Sequence, residues 1–258
     1  MTVIAVIPAR YGSTRFPGKP LHAIAGVPMV ERVRRLAMAA PSIDRVIVAT
    51  DDARIAEAVE AFGGQAVMTP ASCRNGTERC FAAVKDFAAP GDVVVNLQGD
   101  APLTPPWVIE AAASALAEAP QLNPAPPATA LTEDAYARLA SAKAAGEVGG
   151  TTVVFDQAMN ALYFSKAIIP FRREDAGVPV YKHIGLYAYR FAALETLVGL
   201  EPSPLERTES LEQLRALENG IAIRIVLTDY CGRTPWSVDS PRDAEIAAQI
   251  IAREGEIV

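Results

Sequence analysis

The chain has 258 residues, half of them apolar, with 24 Lys and Arg against 30 Asp and Glu and a formal net charge of −6. That length suits one large domain with a sizeable buried core, and the acidic balance argues against a nucleic-acid partner. No apolar run reaches the roughly 18 residues of a membrane helix, and the start lacks the features of a secretory signal, so a cytoplasmic protein is expected. Three cysteines without a CxxC pair argue against a disulfide framework or a structural zinc site. The only histidines are His22 and His183. A divalent metal would therefore rest on carboxylates, which favours Mg2+ or a similar hard ion.

Residues 2–8 form a short apolar run closed by Pro8 and read as a buried strand. A helix is expected over 27–40, with Pro28 in its first turn and Pro41 beyond its end. Strand 45–50, helix 51–64, strand 65–69, helix 76–89, strand 92–100 and helix 105–119 follow. Four strand–helix repeats with nearly all-apolar strands predict an α/β fold with a mainly parallel, doubly wound sheet. Ligands in such sheets bind beyond the carboxyl ends of the strands, which singles out 8–19, 50–52, 69–79 and 98–101.

The second half is less regular. A proline-rich connector covers 121–128. A hairpin is expected from 151–156 and 161–166, then a strand over 181–190. Helix 206–220 stops at Gly220, strand 221–227 follows, and a closing helix over 240–254 has Pro241 in its first turn.

The stretch VIPARYGSTRFPGKPL (6–21) carries Arg10, Arg15 and Lys19 without an acid. It is not a P-loop. Five residues, not four, separate Gly12 from Gly18, and Pro20 follows Lys19 where a Ser or Thr is required. Proline has neither a hydroxyl for a metal nor a backbone N–H for a phosphate. What remains is a strand leading into a glycine-containing loop with two forked guanidinium donors and one ammonium, a pattern suited to a triphosphate.

PARYGSTRFPGKPL closely resembles the N-terminal signature of the 3-deoxy-D-manno-octulosonate (Kdo) cytidylyltransferases, or CMP-Kdo synthetases. The resemblance continues in VIVATDD (46–52), NGTER (75–79), VVNLQGDAPL (94–103), ALYFSK (161–166), YKHIGLYAYR (181–190), SPLERTESLEQLRALENG (203–220) and VDSPRD (238–243). It implies a single domain of the nucleotide-diphospho-sugar transferase type, with a smaller β-rich subregion at about 151–200 serving the sugar site and dimer contact. It also implies transfer of CMP from CTP to the anomeric hydroxyl of an acidic eight-carbon sugar, with release of pyrophosphate, by a cytoplasmic homodimer using Mg2+. The downstream product would be lipopolysaccharide or capsule.

Residue by residue, the resemblance assigns Arg10, Ser13, Arg15 and Lys19 to the phosphates of CTP. Gly76, Thr77 and Arg79 go to base and ribose, Gly76 and Thr77 by backbone. Asp100 and Asp239 become Mg2+ ligands. On the sequence alone, Asp239 reads better as the N-cap of the closing helix. Gln98, Lys166, His183, Tyr187, Glu212 and Gln213 would form the sugar pocket. Without the resemblance, His183 is a hydrogen-bonded strand residue, Tyr187 a core aromatic, and Glu212 and Gln213 the solvent face of a helix. Four positions depart from the family pattern: Ala101, Thr152, Lys166 and Asn75. They open a second substrate reading, a related acidic sugar such as 8-amino-Kdo. A regulatory protein without catalysis is opposed by the joint presence of Lys19, Asp100 and Asp239.

Overall fold

A computed structural model describes residues 1–12, 16–118, 124–147, 149–174 and 177–258. Strand β1 (Val3–Ala9) leads through a 3-10 turn (Lys19–Leu21) and a small hairpin, β2 (Ala23–Ile24) and β3 (Val27–Pro28), into helix α1 (Met29–Met38). Then come β4 (Arg45–Thr50), α2 (Ala53–Ala61), β5 (Gln65–Met68), α3 (Gly76–Val84), β6 (Val93–Asn96) and α4 (Pro106–Glu118). The second half supplies β7 (Pro127–Ala130), α5 (Glu133–Ala144), β8 (Thr152–Phe155), β9 (Ala161–Ser165), β10 (Tyr181–His183), β11 (Tyr187–Arg190) and α6 (Phe191–Val198). It closes with α7 (Pro204–Glu209), α8 (Gln213–Glu218), β12 (Val226–Leu227) and α9 (Pro241–Glu254).

The main sheet has the order β11-β6-β1-β4-β5. Its inner pairs are parallel, and β11 joins β6 antiparallel. Side chains alternate across a strand, and β1 shows what this achieves. Val3, Ala5 and Ile7 pack with Val30 and Val33 of α1 and Ile109 and Ala112 of α4. Ile4 and Val6 pack on the other face with Cys80 and Ala83 of α3 and Leu194 of α6. A strand buried on both faces has to be apolar throughout, which is why its sequence shows no alternation. The expected doubly wound α/β sheet is therefore present, with one antiparallel edge strand.

A second sheet, β12-β7-β10-β8-β9, is mostly antiparallel and draws on residues from 127 to 227. The β8–β9 pair is the expected hairpin.

The segment read as one strand over 181–190 is divided. Tyr181–His183 pairs in the second sheet, Tyr187–Arg190 in the main sheet, and Ile184–Leu186 crosses between them. Both pieces are strand-like in composition, so periodicity does not reveal the crossing. The single helix expected over 206–220 is also divided. Ser210 adopts left-handed geometry at φ 50°, ending α7, and α8 starts afresh at Gln213. Arg215 ties the two pieces together through Glu206, with N···O distances of 2.5 and 2.8 Å. Helices α5 and α6 lie where no helix is expected from the sequence. Pro28 precedes α1 as its N-cap and does not occupy its first turn.

Candidate active site

The carboxyl ends of β1 and β6 lie side by side in the main sheet. A side chain at Gly99 would place Cβ 2.7 Å from the Pro8 carbonyl oxygen, so only glycine lets the loop after β6 pass that close. The loop after β1 folds back on itself: the Gly18 N–H donates to the Tyr11 carbonyl at 3.0 Å, and Gly18 itself has φ +71°. Ser13 and Arg15 lie outside the described residues. The turn after Gly18 presents Lys19, whose Nζ donates to the Val238 carbonyl at 2.8 Å.

Lys19 joins the two carboxylates assigned to metal. Its Nζ stands 3.1 Å from Asp100 Oδ2 and 3.5 Å from Asp239 Oδ1. The backbone helps to bring these acids together, since the Val238 N–H donates to the Asp100 carbonyl at 2.9 Å. Asp239 is not the N-cap of α9. That place belongs to Ser240, which forms a capping box with Asp243. Two carboxylates converging on one cationic point are a hard oxygen donor pair that fits Mg2+, an ion usually completed by phosphate oxygens and water. Among the described residues, no group of three or more His, Cys, Asp or Glu gathers as a cage.

A cavity of about 360 Å3 opens here, and Arg10, Lys19, Gly76, Arg79, Asp100 and Asp239 are among its lining residues. Asn75 caps α3 by accepting the Glu78 N–H at 2.9 Å. Arg79 is buried and already held, donating to Thr69 Oγ1 at 2.7 Å and Asp51 Oδ2 at 2.9 Å. Arg10 is exposed. Sequence reading did not single out Asp51 or Thr69 as supports for Arg79. The position of Asp51 just after β4 was the available signal.

A second cavity, of about 440 Å3, shares Gln98 and Asp100 with the first. His183, Tyr187, Glu212 and Gln213 line it, although they come from two strands, β10 and β11, and the head of helix α8. The break at Ser210 has a consequence here, because Glu212 and Gln213 stand at the head of α8 and not on a solvent face. Gln213 is buried, and so is Tyr187. Four buried polar atoms in this cavity have no hydrogen-bond partner among the described residues: His183 Nε2, Tyr187 Oη, Glu212 Oε1 and Gln213 Nε2. Buried polar atoms are ordinarily paired, so this cluster has the character of a ligand site.

A run of hydrogen bonds links the two cavities. Gln98 Nε2 donates to Asn96 Oδ1 (3.0 Å), Asn96 Nδ2 to Thr77 Oγ1 (3.2 Å), and Thr77 Oγ1 to Glu212 Oε2 (3.0 Å). The side chain of Thr77 is thus turned toward the second cavity. Burial raises the pKa of Glu212 above the ordinary carboxylate value and lowers that of His183 to about 3. His183 is therefore neutral, a hydrogen-bonding group and not a cation.

Lys166 lines neither cavity. Its backbone N–H donates to Glu209 Oε2 at 2.9 Å. Of the departures from the family pattern, Ala101 lines the second cavity and Asn75 the first. Thr152 is a buried peg, donating to the Ala167 carbonyl at 2.8 Å and accepting the Ile169 N–H at 3.1 Å. The sequence reading missed Asn96, Thr104, Lys182 and Trp236 as lining residues. Asn96 and Lys182 lie within the quoted motifs VVNLQGDAPL and YKHIGLYAYR, and Thr104 directly follows the first; Trp236 had no such signal.

The cytidylyltransferase family profile matches residues 4–225. A 3-deoxy-manno-octulosonate cytidylyltransferase of Maricaulis maris (strain MCS10) is 62% identical over 259 residues, covering 100% of both chains. An 8-amino-3,8-dideoxy-manno-octulosonate cytidylyltransferase of Shewanella halifaxensis (strain HAW-EB4) is 42% identical, covering 98% of this chain and 99% of its own. The solved structure of a CMP:2-keto-3-deoxy-manno-octonic acid synthetase complexed with CTP superposes with a TM-score of 0.87 at 36% identity, covering 98% of this chain and 100% of that one. With a matching profile over most of its length and a close relative along all of it, the chain belongs to the cytidylyltransferase family.

Proposed function

We propose that the protein transfers CMP from CTP to the anomeric hydroxyl of Kdo and releases pyrophosphate. The observation that carries this reading is the junction of two cavities. One holds a lysine between two carboxylates, the other holds four unpartnered buried polar atoms, and Gln98 and Asp100 belong to both. An enzyme joining a triphosphate to a polyhydroxylated sugar needs this adjacency. The choice of Kdo is supported by the Maricaulis maris relative, which is far more similar than the 8-amino-type relative.

In this reading Arg10 and Lys19, together with Ser13 and Arg15, grip the phosphates of CTP. Gly76, Thr77 and Arg79 face its base and ribose. The short Asp51 and Thr69 contacts of Arg79 fix its guanidinium before any ligand arrives. Asp100 and Asp239 would hold Mg2+, which when bound supplies charge neutralisation on the triphosphate and acidifies a nearby hydroxyl. Lys19 keeps the two carboxylates converged and adds positive charge where pyrophosphate leaves.

His183, Tyr187, Glu212 and Gln213 bind the sugar and orient its anomeric hydroxyl toward the α-phosphorus, with Gln98 at the boundary. The oxygen of that hydroxyl attacks the phosphorus as the bond to pyrophosphate breaks, and its proton passes to solvent water. A hydroxyl beside a carboxylate is more acidic than an ordinary alcohol, so the reading needs no dedicated protein base. Homodimerisation and a cytoplasmic place of work belong to the same proposal. The dimer is supported by exposed Leu162 on edge strand β9 and exposed Phe171 beyond it.

The test is pyrophosphate release from CTP and Mg2+ with Kdo, with 8-amino-Kdo and with a sialic acid. The expected order places Kdo first. Preference for the 8-amino sugar would overturn the choice of substrate, and no release with any sugar would overturn the reaction.

A further inference from the structure

An acidic sugar brings a carboxylate, and Lys166, the cation assigned to the sugar from the sequence, lies outside the cavity. Two acids, Asp100 and Glu212, line that cavity. Asp100 would be engaged with the metal, so the sugar carboxylate still needs a cation of the lining to offset Glu212. Among the described lining residues one Lys or Arg is present, Lys182.

Lys182 is the middle residue of β10 and stands opposite Thr129 of β7 in the register. Directly opposed residues of an antiparallel pair share a face, and both of these line the cavity. An ammonium and a hydroxyl on one face are complementary to the two oxygens of a carboxylate. His183 follows Lys182 and emerges from the opposite face, where its ring meets Phe164 and Tyr187. The cavity wraps around the end of β10 and takes in both residues. The side chain of Lys182 makes no hydrogen bond or ion pair among the described residues, whereas Lys19 is fully engaged.

We infer that Lys182, with Thr129 beside it, holds the carboxylate of the acidic sugar and sets the preference for an anionic acceptor. The inference rests on the reaction proposed above. Burial with no acid to offset it pushes the Lys182 ammonium below its ordinary pKa; a bound carboxylate would reverse that. Burial also raises the pKa of Glu212, which reduces repulsion of an incoming anion.

The test is steady-state pyrophosphate release by the full-length protein at saturating CTP and Mg2+, with Kdo and with its neutral C1-amide. Lys182→Gln should raise the KM for Kdo at least about tenfold, the scale of a hydrogen bond to a charged group, with the KM for CTP within about twofold. Lys182→Arg should recover most of the loss. The unmodified protein should itself use the amide poorly, and Lys182→Gln should change its KM for the amide less than about twofold. Equal losses on Kdo and amide, or on sugar and CTP, would show a merely structural role and overturn the assignment. An unchanged KM for Kdo in Lys182→Gln, with normal turnover by the unmodified protein, would overturn this assignment alone. If Lys182→Gln fails to fold, the amide comparison in the unmodified protein decides: equal use of both sugars overturns it. No turnover of Kdo by the unmodified protein would overturn the proposed reaction and this assignment together.

Discussion

On the nucleotide side of the site Lys19 and Arg79 already have partners, whereas on the sugar side four buried polar atoms have none. Lys19 meets Asp100, Asp239 and the Val238 carbonyl, and Arg79 meets Asp51 and Thr69. The nucleotide side is thus preorganised by charge and by close backbone approach at Gly99. Apart from Lys182, the sugar side relies on buried groups, neutral His183 among them, whose hydrogen bonds remain unmade. Preorganised charge suits a ligand recognised by its phosphates. Unmet hydrogen bonds suit a ligand recognised by its hydroxyls, because an analogue lacking one leaves a buried atom unpaired. The two sides therefore respond differently to substitution.

Asp100 belongs to both sides, so Asp100→Ala has the largest expected effect. Turnover should fall about 10²–10³-fold or more, with the melting temperature nearly unchanged. Retained activity would remove Asp100 from the metal assignment. Gly99→Ala acts on the nucleotide side through backbone alone. Its Cβ meets the Pro8 carbonyl at 2.7 Å, and backbone on both sides has little room to give. It should cost roughly 1–3 kcal/mol of stability and raise the KM for CTP, measured by denaturant unfolding and kinetics.

Tyr187→Phe acts on the sugar side and separates stability from function. Deleting an unpartnered buried hydroxyl should leave the melting temperature equal or higher, while loss of about 1 kcal/mol of sugar binding raises the KM for sugar about fivefold. A lower melting temperature with an unchanged sugar KM would show that the hydroxyl serves the core. A last effect, absent at neutral pH, concerns His183. Its folded pKa of about 3 lies below the ordinary 6.5, so the unfolded chain binds a proton that the folded chain refuses. Stability should be full above about pH 6.5 and decline as pH falls toward 3. His183→Gln should flatten that decline in melts run from pH 7 to pH 4.

Legibility in the sequence follows the same division. The main sheet could be read because its inner strands β1, β4 and β6 are mostly apolar and largely buried and each of its helices is bounded by proline, glycine or an acid. The lining of the first cavity could be read in part because Arg10, Lys19, Gly76, Arg79 and Asp100 fall in short contiguous motifs after strand ends. The sugar side depends on breaks that local pattern does not reveal. Tyr181–Arg190 looks like one strand, yet it crosses between sheets at Ile184–Leu186 and so carries His183 and Tyr187 into one cavity. Residues 206–220 look like one helix, yet Ser210 takes a left-handed turn that brings Glu212 and Gln213 to the head of α8. Helix α5 buries none of its described side chains and is rich in alanine, so it had no apolar stripe to betray it. Asp239 reads as a cap because it precedes a proline-started helix, and Ser240, one residue later, takes that place. Lys166 was assigned to the sugar by resemblance alone, and its position behind Glu209 could be seen only once β9 was placed.

The most direct test of the account is a crystal structure of the protein with a non-hydrolysable CTP analogue and Kdo. The account predicts that one sugar molecule supplies partners to His183 Nε2, Tyr187 Oη, Glu212 Oε1 and Gln213 Nε2 at ordinary hydrogen-bond distances, with its anomeric hydroxyl toward the α-phosphate beside Asp100. A sugar bound elsewhere, with those four atoms still unpartnered, would contradict it.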